Sequence, residues 1–259
     1  MTTDIATTNS QFKFLNPGSR EATIVASNIG EGQVYESDLP RVGMPAGGAT
    51  QWSYEDASGN VVNTDAIEGI LVASTGRGAL WPSQEPSGSR PLLVSNDMRT
   101  GYLVGEDFGD VRPEDLDKFL LDEGRYDYAA MSNSPEFGFG AGGGRGKRVK
   151  EQVVLAVLQK GEVLPVLVKL GGGSLGAWTK FRKGLKVLPN EAIVSLKLER
   201  VSNMAGQKFS RVKPSLVGTL TEAEGEVVTA LYTEPLTEML TRVPGVASPA
   251  ASSTEEAPF

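Results

Sequence analysis

The chain has 259 residues, 39% of them hydrophobic and 22% charged, which suits one large globular domain or a domain and a half with a substantial core. It contains neither cysteine nor histidine, which excludes structural zinc, Cys-His catalysis and Ser-His-Asp catalysis and leaves carboxylate, lysine or oxygen-held metal chemistry. The net charge of -7 hides a strong segregation: residues 140–213 carry fifteen Lys and Arg against four acids, a net of +11, and the remainder carries -18.

A basic block inside an acidic protein is the electrostatic footprint of a surface that tracks phosphates, although lysine on exposed strand faces gives the same count. The opening Met1-Thr2-Thr3-Asp4-Ile5-Ala6 lacks the basic and apolar regions of a secretory signal, and no run of eighteen apolar residues occurs. The expectation is a cytoplasmic protein without a membrane association.

Residues 1–19 are largely polar, with Phe12, Phe14 and Leu15 as their apolar cluster, and read as a flexible arm. A β-rich segment follows to about Leu103, with compact apolar runs at 67–74 and 91–95 that mark buried strands. Residues 106–127 turn acidic and helix-permissive, with Pro113 at a first turn and Leu116, Phe119 and Leu120 on one stripe. Residues 133–150 hold Phe137 and Phe139, a run of glycines, then Arg145, Lys147, Arg148 and Lys150, the composition of a flexible basic loop.

Residues 153–158 and 163–170 form a predicted hairpin around Lys160-Gly161. Ser174 then caps a predicted short helix whose apolar stripe is Leu175, Trp178, Phe181 and Leu185, with Lys180, Arg182, Lys183 and Lys186 on its other sides. Two further strands, about 192–201 and 207–220, flank a turn at 203–206, and Ile193, Ser195, Lys197, Glu199 and Val201 alternate onto one side. Thr221 opens a helix with Glu222 and Glu224 in its first turn, interrupted by Pro235. After Arg242 a Pro/Ala/Ser-rich linker, predicted to be disordered, leads to Glu255-Glu256-Ala257-Pro258-Phe259.

That ending resembles the C-terminal tip of bacterial single-stranded DNA-binding proteins, in which a disordered linker ends in acidic residues and Pro-Phe. The resemblance implies that Glu255, Glu256, Pro258 and Phe259 bind replication or recombination proteins. Phe259 supplies an apolar plug, while its carboxylate and the glutamates suit a basic pocket. The tethered acidic tail also suits competition with DNA for a basic groove.

The stretches Pro45-Ala46-Gly47-Gly48-Ala49-Thr50-Gln51-Trp52, Leu80-Trp81-Pro82 and Ser174-Leu175-Gly176-Ala177-Trp178-Thr179-Lys180-Phe181-Arg182-Lys183-Gly184-Leu185 look like a family of phage and mobile-element proteins that bind single-stranded DNA through an OB-like barrel. Relatives in that family often carry a cysteine cluster where this chain has residues 106–146, so the resemblance does not extend there.

The combined expectation is a β-rich α+β protein, an OB-type β-barrel with appended helices over residues 20–242, an insertion at 106–150 and a disordered C-terminal tail at 243–259. It would coat and protect single-stranded DNA without turnover, and no cofactor or metal is expected. Homo-oligomerisation is left open.

Binding single strands needs spaced cations and aromatic faces on which bases stack. The candidate stackers are Trp52, Trp81, Tyr102, Phe137, Phe139, Trp178 and Phe181, each of which also suits a core; the candidate cations are Arg77, Arg145, Lys147, Arg148, Lys150, Lys180, Arg182, Lys183 and Lys186. Residues 138–143 satisfy G-x-G-x-x-G, but no strand feeds them and no apolar helix follows. The rival readings are a phage nuclease holding magnesium on Asp107, Asp110, Glu114, Asp115 and Asp117, and a phage assembly or scaffold protein.

Overall fold

The computed structural model describes residues 12–16, 18–30, 34–82, 90–122, 124–141 and 147–243. The C-terminal tip, the linker before it and Arg145 lie outside them, as do residues 1–11 of the expected N-terminal arm. Two compact units are present, one from residues 1–76 with 151–239 and one from 77–150 with 240–259. The inserted part therefore begins at Arg77, well before the expected 106. The fold class is mixed α+β and strand-rich, and no helix among the described residues is long and apolar enough to cross a membrane.

Strands β1 (Arg41–Gly43), β2 (Trp52–Glu55), β3 (Val61–Thr64) and the first part of the 15-residue β4 (Ala66–Leu80) belong to the first unit. The end of β4 joins β5 (Leu93–Ser95), β6 (Thr100–Leu103), β7 (Leu120–Asp122) and β8 (Arg125–Asp127) in the second. The chain then returns to the first unit through β9 (Lys150–Gln159), β10 (Val166–Gly171), β11 (Ala192–Ser202) and β12 (Lys208–Thr219). The α-helices are α1 (Arg20–Val25), α2 (Pro113–Asp117), α3 (Tyr128–Ser132), α4 (Gly173–Gly184), α5 (Glu222–Val228) and α6 (Glu234–Thr241).

In the first unit the strand order is β1-β10-β9-β4-β11-β12, with β1 parallel to β10, and β10/β9, β4/β11 and β11/β12 antiparallel. Among the described residues β1 and β12 do not pair, so the sheet is open and does not close into a barrel. The outer edge of β12 is already taken: the Val212 N–H donates to Ser174 Oγ at 3.0 Å from α4, and Pro214 has no N–H to give. Ser174, predicted as the helix N-cap, thus serves the strand edge instead, and Gly172 is the residue at the cap of α4.

The core of this unit gathers Trp52, Ile67, Leu71, Leu155, Val168, Trp178, Val194 and Leu196. Phe12, Phe14 and Leu15 are buried, and the Phe14 ring meets the edge of Tyr232 with centroids 5.1 Å apart. The segment from Phe12 onward therefore packs, in contrast to the flexible arm expected there. Thr221 and Glu224 form the capping box of α5, and a π-turn over Thr229–Thr233 carries the chain into α6 with Pro235 in its first turn.

The second unit orders its strands β4-β5-β6-β8-β7 over a core of Leu80, Leu92, Leu93, Leu116, Tyr128, Met131, Phe137 and Val149. The acidic segment forms only the short α2, and Leu120 leaves the predicted helical stripe because it pairs in β7 with Tyr126 of β8.

Asp115 on α2 accepts hydrogen bonds from Arg112 Nε at 2.8 Å and Nη2 at 2.9 Å, which hold its carboxyl below the ordinary value of 3.8. A depressed folded-state value means that this stabilisation is complete above the ordinary Asp range and is lost as pH falls through the lowered value. Thermal melts between about pH 6 and pH 2 should show the second unit weakening at the acid end, with Asp115→Asn lacking that part of the pH dependence.

Candidate nucleic-acid interface

The β11/β12 register determines which side chains share a face. Lys197 stands opposite Lys213, Glu199 opposite Arg211 and Val201 opposite Phe209. Glu199 and Arg211 neutralise each other at 2.7 Å, but Lys197 and Lys213 form an exposed like-charge pair directly across the ladder. Such a juxtaposition destabilises an antiparallel sheet unless an anion lies between the charges.

Helix α4 packs beside this hairpin and encloses with it a groove of about 950 Å³ whose lining includes Lys180, Phe181, Lys186, Lys213, Pro214, Leu216 and the Glu199–Arg211 ion pair, with Gly173, Gly176 and Gly184 on the helix side. Trp178 faces the core and its ring lies 5.5 Å from that of half-buried Phe181, which fixes the latter at the groove wall. A Cβ built on Gly176 or Gly184 would meet nothing within 4 Å, so the helix backbone is open to an occupant. Glycine in a helix interior costs about 1 kcal/mol against alanine, a cost that an open groove wall explains.

Of the predicted site residues, Lys180, Phe181 and Lys186 lie on this groove. Arg182 points elsewhere, donating to Ser74 Oγ at 3.3 Å, and Lys183 is exposed off the groove. Trp52, Trp178 and Phe137 are corrected from stackers to core residues, at 0%, 2% and 2% exposure. Trp52 is also tied by its indole N–H to the Leu196 carbonyl at 2.7 Å.

In the second unit Arg77 is half-buried and donates to the Leu240 carbonyl at 2.7 Å, while Trp81 and Tyr102 are half-buried. Arg148 is ion-paired with Asp110, with little of its side chain exposed, and is therefore not available as a groove cation. Lys150 is exposed at the start of β9. Phe139 is 81% exposed, with Lys147 Nζ 5.2 Å from its ring centroid.

The cations of 140–213 are thus shared between the two units, and those that share a groove belong to the first. Lys197, Arg211, Lys213 and Gly176 were not among the predicted residues. The period-2 alternation of Lys197 and Glu199, and of Arg211 and Lys213, was the available signal.

The carboxylates considered for a metal are dispersed. Asp107 accepts the Gly109 N–H, Asp110 pairs with Arg148, and Asp115 pairs with Arg112 and Lys118. No group of three or more acids among the described residues is placed to hold a metal ion. No family model, no curated protein and no solved structure matches the chain.

Proposed function

We propose that the first unit binds single-stranded DNA along the groove between α4 and the β11–β12 hairpin, protecting the strand and presenting it to replication or recombination enzymes. The observation that carries this is the convergence of Lys180, Lys186 and Lys213 on one groove whose walls also offer Phe181, Pro214 and Leu216, and whose remaining charges, Arg211 and Glu199, pair with each other. Cations neutralise phosphates, and apolar or aromatic walls are useful only to bases that are not already paired. A duplex hides its bases and would gain from the rim charges alone.

An OB-like platform remains part of the proposal. That fold is itself a partly open barrel, and an open antiparallel sheet with one parallel edge pair is compatible with it. Recruitment of partner enzymes rests on Glu255, Glu256, Pro258 and Phe259 in the sequence.

Fluorescence anisotropy with labelled oligo-dT and with duplex across a salt series tests the proposal. Oligo-dT should bind more tightly than duplex, with a log-log salt slope of about -2 if the three groove lysines each meet a phosphate at roughly 0.7 per contact. Equal affinity for both, or a flat salt series, would overturn it.

Filling the groove offers a separate check. Gly176→Leu replaces a poor helix former by a good one at a position where the added Cβ meets nothing. The variant should melt no lower than the parent and bind oligo-dT more weakly.

A further inference from the structure

The second unit carries an aromatic side chain that its backbone is built to expose. Phe137 is buried, with its N–H donating to Ser134 Oγ at 3.2 Å and its carbonyl accepting from the Arg148 N–H at 3.0 Å. Gly138 follows in a tight turn, its N–H donating to the Ser134 carbonyl at 2.7 Å, and a Cβ there would lie 2.5 Å from that same carbonyl oxygen. Two residues beyond Phe137, Phe139 therefore projects outward, 81% exposed, and is bridged to Lys147 across the neck of the glycine-rich loop.

On the far side of the neck, Val149 is buried and Arg148 is ion-paired with Asp110. Both ends are thus anchored while the ring stays out. A single exposed apolar residue is ordinary on a protein surface. A phenyl ring held out from a pinned neck, with the Lys147 ammonium over one face 5.2 Å from its centroid, offers its other face as a stacking platform next to a positive charge.

We infer that Phe139 and Lys147 form a second contact for single-stranded nucleic acid, separate from the groove: an unpaired nucleobase stacks on the Phe139 ring and a phosphate of the same strand meets the Lys147 ammonium. The inference rests on the proposed strand-binding role but on none of the groove residues.

The test compares oligo-dT with an abasic strand of equal length and charge. Phe139→Ala should weaken oligo-dT binding roughly 5- to 150-fold, the span measured for loss of one stacked base, and leave abasic binding unchanged. Phe139→Trp should restore oligo-dT affinity and report contact by quenching of the new indole, with no quenching by the abasic strand. Because the ring is exposed, both variants should melt with the parent.

Equal loss for the two strands, no loss for either, or an unquenched indole overturns the inference and leaves the groove proposal standing. If the parent binds no oligo-dT, the groove proposal itself fails, which the Phe139 variants are not needed to reveal.

Discussion

Replacing Lys197 and Lys213 together by threonine should weaken single-stranded DNA binding and strengthen the fold. The two ammonium groups stand directly across the β11/β12 ladder, both exposed. In the free protein they repel each other, and like charges so placed destabilise by an amount comparable with a good cross-strand pair, about 0.2–1 kcal/mol. Threonine favours a strand, and a Thr–Thr pair in this register is itself stabilising. Denaturant midpoints should therefore rise.

Binding should move the other way. Each phosphate contact on a single strand contributes about 0.7 to the salt slope, and of the two lysines only Lys213 lines the groove, so the slope should fall by about 0.7. Affinity should then fall roughly 5-fold at about 0.1 M salt, with the gap closing toward 1 M. A purely structural role for these lysines would give no such crossing of signs: binding would follow stability, and the salt slope would not change.

How far the sequence foretold this arrangement depends on the range of the interaction that decides each feature. Local patterns were readable. Thr221 with Glu224 signals a capped helix start, and the structure places the capping box there. The alternation from Ile193 to Val201 marks a strand, observed as β11. Gly161, at φ +83, makes the turn expected between the strands now seen as β9 and β10, although β10 begins at Val166, just after Pro165.

Features set by distant partners were not readable. Lys197 and Lys213 become a pair only once the register of β11 on β12 is known, and nothing local to either residue fixes it. Ser174 looked like a helix cap because its competing partner, the Val212 N–H, lies far along the chain. Phe137 and Phe139 sit two apart in one loop with similar neighbours in sequence. Which of them is buried depends on whether the core of Leu116, Met131 and Val149 closes around the first or the second.

The division of the chain shows the same limit. Residues 106–150 stood out by composition, but Arg77 to about Leu103 has the same strand-like character as the preceding segment. It joins the second unit because the end of β4 pairs with β5, at Gly78 with Ser95, while the beginning pairs with β11, at Ile70 with Ile193. A single long strand thus serves both units, and the polar stretch Ser74-Thr75-Gly76-Arg77-Gly78 at the crossover reads as a turn in sequence although it continues the strand.

Trp52→Ala should be the most damaging single substitution in the first unit, and its effect should fall on folding. The indole is fully buried among Ile67, Leu71, Val194 and Leu196, and its N–H donates to the Leu196 carbonyl at 2.7 Å. Removing a buried aromatic side chain of this size costs about 3–5 kcal/mol from lost burial and the cavity left behind. The Leu196 carbonyl also loses this donor. Against a total stability of about 5–15 kcal/mol for a typical domain, a large part of the protein should unfold at moderate temperature.

Trp52→Phe separates the two contributions: most of the ring volume stays, the donor is lost, and the expected cost falls to about 1–3 kcal/mol plus a small cavity term. Urea midpoints for the parent and both variants measure the sequence of losses, and anisotropy with oligo-dT corrected for the folded fraction measures binding. A core role requires that corrected affinity to stay at the parental value in Trp52→Phe while the midpoint drops. A stacking platform would give the reverse, a parental midpoint with weakened binding, and that outcome would return Trp52 to the surface role its sequence context first suggested.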